Sequence, residues 1–436
     1  MLIDFSVRNF LSIREKQTLS FVADDRIDHL DDYYTIRVLD LKLLKIGLIF
    51  GSNAAGKSNI LKALDFLRDL VLKPKSSKND AIDCIPFLLD DVSQEQNSVF
   101  EINFIWHDSR YFYRVELNRA CIVQETLKTT ATGRTIFTRQ TDSEKQIATV
   151  KFGNEYPIRK EQLNALVSNT LWNNTVIGGY LKTNIDNVEL KNVKDWFSCY
   201  LKNIIYPRQD LTNYVSSRLD RGLIDKDRLI PILQQADFNI SDILIKKEEE
   251  EISEKLMSYL KVMAPDALEG LKKMGKVTSL EIKFQHITLD GNTCVNIPYQ
   301  LESLGTQRYF GLSGILYMLI KESHCFSIDE LESSLHPDLY IHFLLSYCVN
   351  SHRSQLIATT HNREILNNKD LFRNDMISIA DKADSCATIL YRLSDFDSSV
   401  VRNTSNILNA YNAGRLGGIP NLGDYYINLE DDGSEA

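Results

Sequence analysis

The chain has 436 residues, of which 43% are hydrophobic and 25% charged, and its formal net charge is −9. This length allows two lobes that each bury a core. The acidic balance argues against a protein that binds nucleic acid by bulk positive charge, although a local basic groove remains compatible with it. The seven cysteines form no C-x-x-C pair, which favours reduced, buried thiols over a disulfide framework or a zinc ribbon.

The N-terminal stretch MLIDFSVRNF reads as a β-strand rather than as a targeting segment. Asp4 and Arg8 interrupt its apolar run, so no signal peptide is predicted. The following LSIREKQTLSF reads as the hairpin partner of this strand. No uncharged apolar run reaches the length of about 18 residues that a membrane span needs. We therefore expect a cytoplasmic protein without a membrane partner.

A phosphate-binding motif follows the apolar run KIGLIF. The stretch GSNAAGKS has the form G-x-x-x-x-G-K-[ST], in which glycines let several backbone N–H groups point at one anion at the start of a helix. Lys57 is expected to reach the β- and γ-phosphates of a nucleoside triphosphate, and the Ser58 hydroxyl to ligate Mg²⁺. The alternative is a glycine-rich strand-to-helix turn without a ligand. The residues predicted to bind the nucleotide here are Gly51, Ser52, Asn53, Ala54, Ala55, Gly56, Lys57, Ser58 and Asn59.

The middle of the chain changes character twice. SVFEINFIWHD, RYFYRVELN and CIVQETLKT predict three strands of a small antiparallel sheet. Residues 155–275 read as mostly helical, and the charge run KKEEEEISEKL within them predicts a solvated helix face. A strand, VTSLEIKFQHITL, is then expected from residue 277.

An acidic pair follows the short apolar strand HCFSI. Such a strand places Asp329 and Glu330 at the carboxyl edge of a parallel sheet, beside the phosphate loop. Asp329 is expected to hold Mg²⁺ through its water shell. Glu330 is expected to accept a proton from the attacking water, because phosphoryl transfer to water needs a base in line with the γ-phosphate. The alternative is that the pair only caps a helix.

A histidine ends the next predicted strand. QLIATT is followed by His361, which can hydrogen-bond the γ-phosphate and report its presence. The alternative is a histidine satisfied at the surface. A short strand around MISIA is the last element expected in the parallel sheet.

Together these motifs resemble the ABC-type ATPase heads of the SMC, RecF and OLD families. The resemblance is strongest to bacterial AAA-like ATPases of that clan in phage-defence and abortive-infection operons, which work with a separate Toprim or HNH nuclease. It rests on VRNFLSI near the start, on ESSLHPDLY as a D-loop and on the tail ILNAYNAGRLGGIPNL, and it spans residues 1–70 and 295–422. It implies an α/β fold with a mixed sheet around the phosphate loop, a small antiparallel β-subdomain and a mostly helical insertion. The halves of the head would be residues 1–154 and 276–436, and the insertion residues 155–275.

The resemblance also implies a signature loop, for which two stretches compete. SLGTQ precedes an apolar helix, and the interval to Asp329 that the resemblance requires favours it over LSG at 312–314, which we interpret as helix interior. In this clan the signature of one protomer contacts the γ-phosphate bound to the other, so a homodimer with two sandwiched ATP molecules is expected, within a larger homo-oligomer or alone. The glutamine that should ligate Mg²⁺ stays open between Gln124 and Gln209. The predicted signature residues are Ser303, Gly305, Thr306 and Gln307.

A small-molecule kinase is disfavoured, because a signature, a D-loop and a switch histidine serve dimer sensing rather than the positioning of an acceptor. Two functions remain. In the first, the ATPase senses a phage protein or DNA as a trigger and controls a separately encoded toxic effector, expected to be a nuclease. In the second, it clamps duplex DNA in repair, as RecF does. The one short basic cluster, LKKMGK, favours the first.

The chain itself is expected to have no nuclease activity. The 75 residues after His361 are fewer than a Toprim domain needs, since domains run to about a hundred residues. The D-x-D pair Asp225 and Asp227 lies in LIDKDRL, interleaved with Lys226 and Arg228. We interpret this pair as a solvated helix start rather than a metal site.

Overall fold

The computed structural model describes residues 1–28, 30–130, 133–207, 209–251, 276–368, 371–396 and 407–419, and only the backbone at 248–251 and 276–279. The strands are β1 (Leu2–Arg8), β2 (Gln17–Ser20), β3 (Thr35–Val38), β4 (Leu41–Leu44), β5 (Ile46–Phe50), β6 (Ser98–Trp106), β7 (Ser109–Leu117), β8 (Ile122–Thr129), β9 (Thr135–Asp142), β10 (Ile147–Phe152), β11 (Leu201–Ile205), β12 (Asp242–Glu251), β13 (Lys276–Ile287), β14 (Cys294–Pro298), β15 (Cys325–Ile328), β16 (Gln355–Thr360), β17 (Ile377–Lys382) and β18 (Thr388–Arg392).

The α-helices of the described ranges are α1 (Asp31–Tyr34), α2 (Lys57–Leu72), α3 (Asp91–Glu95), α4 (Lys160–Asn169), α5 (Val176–Leu181), α6 (Val188–Asp195), α7 (Thr212–Asp220), α8 (Lys226–Gln235), α9 (Leu304–Lys321), α10 (Pro337–Asn350), α11 (Glu364–Asn367) and α12 (Ile407–Asn412). A π-helical turn, Trp196–Tyr200, joins α6 to β11. None of the helices in these ranges is long and apolar enough to cross a bilayer.

Two large sheets organise the molecule. The first has the order β10-β9-β8-β7-β6-β1-β2 and is antiparallel throughout. Its strands β6, β7 and β8 confirm the three predicted from β-branched and aromatic residues, and the N-terminal hairpin extends the same sheet. The second has the order β11-β15-β16-β5-β17-β18, in which only β18 is antiparallel. The carboxyl ends of five strands therefore meet at one edge.

Helix α2 connects the two sheets. It contacts β1 of the antiparallel sheet and both β11 and β16 of the parallel sheet. Its Phe66 ring lies 5.3 Å from the ring of Phe10 and 5.1 Å from that of Phe100 in β6. Burial of these rings ties the helix that follows the phosphate loop to the antiparallel sheet.

The described part of the predicted insertion, residues 155–207 and 209–251, is less helical than expected. It contains helices α4 to α8, but β11 lies beside β15 in the parallel sheet, so this range supplies an edge strand of the sheet itself. No clear pattern predicts this strand, because the short run LKNII fits a buried helix segment equally well.

The first part of the charge run KKEEEEISEKL, residues 246–251, was wrongly predicted to be helical. The rest of the run and residues 271–275 of the basic cluster LKKMGK lie outside the described residues. Residues 246–251 belong to β12, which pairs antiparallel with β13. Ile243 of β12 is buried, as are Ile282 and Phe284 of β13, so the apolar first half of β12 is anchored in the core. Backbone pairing then continues through the charged half, with Lys246 and Lys247 exposed. Tertiary pairing overrides the helix propensity of glutamate and lysine here.

Candidate nucleotide-binding site

The phosphate loop joins β5 to α2 in a conformation that needs glycine. Gly56 has φ 89°, and a Cβ atom there would lie 1.8 Å from Thr388 Oγ1 and 2.7 Å from Ser12 Oγ. A side chain would therefore displace the loop, whatever its chemistry. The first N–H groups of an α-helix have no acceptor in a preceding turn and can therefore bind an anion, as expected here for the start of α2. The Asn59 N–H already donates to the Gly56 carbonyl oxygen at 3.0 Å.

Lys57 lies folded against this loop. Its side chain is only 6% exposed, and Nζ donates to the carbonyl oxygens of Gly51 (2.9 Å) and Ser52 (2.8 Å). Burial lowers the pKa of Lys57, while the nearby carboxylates of Glu330, Glu332 and Asp329 oppose that shift. The ammonium group is thus held by two carbonyls that phosphate oxygens could replace.

Asp329 connects three strands at the carboxyl edge. Its Oδ1 accepts hydrogen bonds from Ser58 Oγ (2.8 Å) and from Thr359 Oγ1 (2.6 Å). Strands β15, β16 and β5 are parallel neighbours, which is why residues far apart in sequence meet here. Hydroxyl and carboxylate oxygens are the donors that Mg²⁺ prefers, so Ser58 and Asp329 fit the expected ion.

Glu330 begins the turn after β15 with a strained backbone. Its φ of 46° is in the left-handed region, which costs a non-glycine residue on the order of 1–3 kcal/mol. Its N–H donates to Thr359 Oγ1 at 2.7 Å. Thr359 thus holds both carboxylate residues, one by side chain and one by backbone.

His361 lies at the end of β16, as predicted, and is held by a neighbouring acid. The backbone N–H of His361 donates to Glu332 Oε1 (2.7 Å), and the imidazole Nδ1 lies 3.0 Å from the same oxygen. The histidine side chain is 55% exposed, whereas that of Glu332 is 8% exposed. The ring can therefore reach a ligand while its backbone stays in place.

Residues 1–366 match the model of the AAA ATPase domain family. The chain belongs to this family. No curated protein matches the sequence.

Solved SMC heads are among the similar structures. The SMC head domain from Thermotoga maritima has 14% identity and a TM-score of 0.40, covering 90% of this chain and 98% of that one. An Smc head bound to the C-terminal winged-helix domain of ScpA has 12% identity and a TM-score of 0.39, with coverages of 90% and 98%. The Smc head domain with an extended coiled coil, bound to the C-terminal domain of ScpA from Pyrococcus furiosus, has 12% identity and a TM-score of 0.38. The match covers 90% of this chain and 96% of that one.

The family match and the two sheets confirm the expected α/β ATPase fold. The phosphate loop of this AAA ATPase domain and the acidic pair Asp329 and Glu330 lie at the same edge of the parallel sheet, but Asn59 makes a different contact. The Asn59 side-chain amide donates to Ser12 Oγ at 2.7 Å, so this side chain connects the start of α2 to the N-terminal hairpin region. The catalytic roles of Lys57, Glu330 and His361 remain predictions.

The predicted signature lies apart from the phosphate loop of the same chain. Ser303 is the N-cap of α9, and its Oγ accepts from the Thr306 N–H at 3.1 Å. Gly305 faces the turn after β15, since a Cβ atom there would lie 3.4 Å from the Ser334 carbonyl oxygen. Within the described ranges, no hydrogen bond or ion pair joins residues 303–307 to residues 51–59.

Two details of α9 bear on the signature prediction. The LSG stretch is confirmed as helix interior, because Leu312 and Ser313 are fully buried within α9. The Gln307 amide donates to the carbonyls of Tyr299 (3.1 Å) and Glu302 (2.9 Å). Its donors are therefore used within its own chain, in contrast to the nucleotide contact predicted for it.

The two glutamines that were candidates for ligating Mg²⁺, Gln124 and Gln209, lie in different sheets or at different sheet edges. Gln124 lies in β8 of the antiparallel sheet, where its Oε1 accepts from Arg114 at 3.2 Å. Gln209 follows β11, whose carboxyl end lies beside that of β15. Its Oε1 accepts from the Tyr206 N–H at 3.1 Å. Only Gln209 is at the edge of the sheet that carries Asp329.

Sequence reasoning missed three supporting groups. Thr359 and Glu332 were visible in TTHN and DELESS but were given no role. Thr388 of β18 had no motif around it, yet its Oγ1 donates to the Ala55 carbonyl at 3.1 Å and lies 2.7 Å from Ser12 Oγ. Ser12 lies in VRNFLSI, so the N-terminal hairpin region and β18 both support the phosphate loop.

Aspartates 225 and 227 are at a helix start, as predicted. Asp225 is the N-cap of α8, and its side chain accepts from the Asp227 N–H at 3.0 Å. The described neighbours are consistent with a capping role.

Proposed function

We propose that this AAA ATPase domain is a nucleotide-gated switch that hydrolyses ATP and controls a separate effector protein in antiphage defence. The observation that carries the ATPase part is the hydrogen-bonded set of Ser58, Asp329 and Thr359 beside the buried Lys57. In a nucleotide-gated switch, the residues that bind the nucleotide must be connected to the turns that change conformation. Here the hydrogen bonds of Asp329 connect Ser58, which follows the phosphate-binding Lys57, to the turn after β15.

The ATP phosphates would bind the N–H groups at the start of α2. Lys57 would exchange the carbonyls of Gly51 and Ser52 for the β- and γ-phosphate oxygens. Ser58 and Asp329 would hold Mg²⁺, which when bound supplies positive charge against the phosphate oxygens. Glu330 would take the proton of the attacking water onto its carboxylate. His361, held by Glu332, would donate to the γ-phosphate.

The assembled state would be a dimer of this chain. The capped N-terminus of α9, with Ser303, would meet the γ-phosphate bound to the partner. Leu301 and Leu304 beside it are 75% and 74% exposed, which gives an apolar surface that a second copy could cover. ATP would then close the dimer and hydrolysis would open it, within a larger homo-oligomer or alone.

The first experiment tests the ATPase. Binding of ATP and release of phosphate are measured for the wild type, Lys57→Ala and Lys62→Ala. Lys62 lies on the same helix but is exposed, so its variant is the matched control. We expect Lys57→Ala alone to lose binding. Wild-type binding and turnover in Lys57→Ala would contradict the site.

A second experiment distinguishes effector control from DNA clamping. The gene is expressed with and without the gene beside it, and growth is followed after phage infection. We expect growth arrest that requires both the neighbouring gene and Lys57. The clamp function predicts instead ATP-dependent binding of duplex DNA in an anisotropy assay, without dependence on the neighbour.

A further inference from the structure

The segment 407–419, which we call the clasp, lies against the phosphate loop. It consists of α12 and the turn that follows it. The Ser52 N–H donates to the Gly418 carbonyl oxygen at 2.8 Å. Ser52 is the second residue of the phosphate loop, so the clasp directly contacts a candidate ATP-binding residue although about 366 positions separate the two in the sequence.

The Gly418 carbonyl is held in place from several sides. The Tyr411 hydroxyl donates to this same oxygen at 2.7 Å. The Tyr411 ring is buried and packs edge-on against Phe50, the last residue of β5, with 5.0 Å between ring centroids. Gly418 has φ 67°, and a Cβ atom there would lie 2.9 Å from Ile379 Cγ2. The turn therefore requires glycine both for its backbone conformation and for space.

The clasp and the phosphate-binding lysine hold the same residue from opposite sides. The N–H of Ser52 bonds to Gly418, while its carbonyl oxygen accepts from Lys57 Nζ at 2.8 Å. When Lys57 turns to a phosphate, the second contact is lost and the clasp contact remains. The clasp would then be what keeps the first half of the loop in its binding conformation.

We propose that the clasp is a positioning element of the ATP site, acting through the hydrogen bond from Ser52 to Gly418. This inference rests on the proposed function, in which the loop binds ATP. Because coupling between two sites is reciprocal, ATP should stabilise the clasp to the same extent that the clasp strengthens ATP binding.

The test uses Gly418→Ala in the full chain. The added methyl group would lie 2.9 Å from Ile379 Cγ2 and 3.3 Å from the Ala380 carbonyl oxygen, so we expect the turn to shift and to weaken the hydrogen bond from the Ser52 N–H. We expect the dissociation constant of a fluorescent ATP analogue to rise about tenfold, the size of one net hydrogen bond. KM for ATP should rise by the same factor while kcat stays within about twofold, since Glu330 and Asp329 do not contact the clasp. A purely structural defect would lower kcat through loss of folded enzyme and leave KM unchanged.

Gly222→Ala is the matched control. Gly222 has φ 68° and open space around its Cβ position, so its variant carries the same backbone strain in the turn after α7, outside both the phosphate loop and the clasp. It should bind the analogue as the wild type does. If Gly418→Ala fails to fold, Tyr411→Phe removes only the hydroxyl that bonds to Gly418 and should weaken binding about threefold.

Amide hydrogen exchange supplies a readout that is independent of turnover. We expect Mg²⁺ and ATP to slow exchange in residues 407–419 of the wild type and to have no effect in Lys57→Ala. Wild-type affinity in both Gly418→Ala and Tyr411→Phe, or exchange in the clasp that nucleotide leaves unchanged, would overturn the inference. Failure of the wild type to bind ATP at all would instead overturn the proposed function.

Discussion

Replacing Thr359 by valine tests how the two acidic residues are positioned. Thr359 is fully buried, and valine has nearly its shape. The change removes the hydrogen bond to Asp329 Oδ1 and leaves the Glu330 N–H without its acceptor. A hydrogen bond to a charged group contributes about 1.5–3 kcal/mol, and an orphaned buried donor costs about 1–3 kcal/mol. Because the two losses share one site, we expect unfolding to be easier by about 2–4 kcal/mol.

Turnover should fall more than affinity in this variant. Glu330 has a left-handed backbone that its N–H bond to Thr359 helps to maintain, so loss of that bond should let the carboxylate drift. A loss of about 1.4–2.7 kcal/mol of transition-state stabilisation corresponds to a kcat about 10- to 100-fold lower. The dissociation constant for ATP, which depends on the phosphate loop, should change about threefold or less.

Thr360→Val is the control for burial and for the loss of one hydroxyl. Thr360 is equally buried but points to the other face of β16, where its Oγ1 accepts from the Asn362 N–H. Urea unfolding gives the stability of both variants, and phosphate release gives their turnover. Equal kcat values for the two variants would refute the idea that Thr359 positions the acidic pair.

Four further outcomes are expected. Glu330→Gln should bind ATP but release almost no phosphate, and wild-type turnover would remove Glu330 from the role of base. Ser303→Arg should lose ATP-dependent dimerisation in light scattering, because a bulky cation replaces the cap, whereas assembly that ignores both nucleotide and this change would mean that the protomers are held elsewhere. Burial raises the pKa of Glu125 from 4.5 to about 7, so the folded state holds the proton more tightly than the unfolded state. The free energy of unfolding should therefore decrease by on the order of 3 kcal/mol as the pH rises from about 4.5 to about 7. In Glu125→Gln, urea unfolding should show a weaker dependence on pH across this window. Purified chain with Mg²⁺ should leave plasmid DNA and tRNA intact, and cutting that survives Lys57→Ala would reveal a second active site.

The local sequence pattern was sufficient to predict the strands that precede the candidate ATP-binding and catalytic residues. The phosphate loop, the pair Asp329 and Glu330, and His361 each follow a short apolar run, and each run is a strand of the parallel sheet. A buried strand next to a polar motif is visible within about ten residues, so the sequence determines the motif and its place at a strand end.

Local pattern failed where pairing or distant contact decides the conformation. β12 is a strand because its apolar start is anchored against β13, although its glutamates favour helix. β11 is an edge strand of the parallel sheet only because β15 lies beside it.

The supports of the site belong entirely to the tertiary structure. Thr388 reaches the phosphate loop from β18, Thr359 bonds both acidic residues from β16, and Gly418 accepts the Ser52 N–H from the clasp. Each is a hydrogen bond between residues brought together by the order of strands in a sheet or by the path of the tail. A hydrogen bond needs donor and acceptor within about 3 Å, and no period or motif along the sequence determines which distant residue will satisfy that distance.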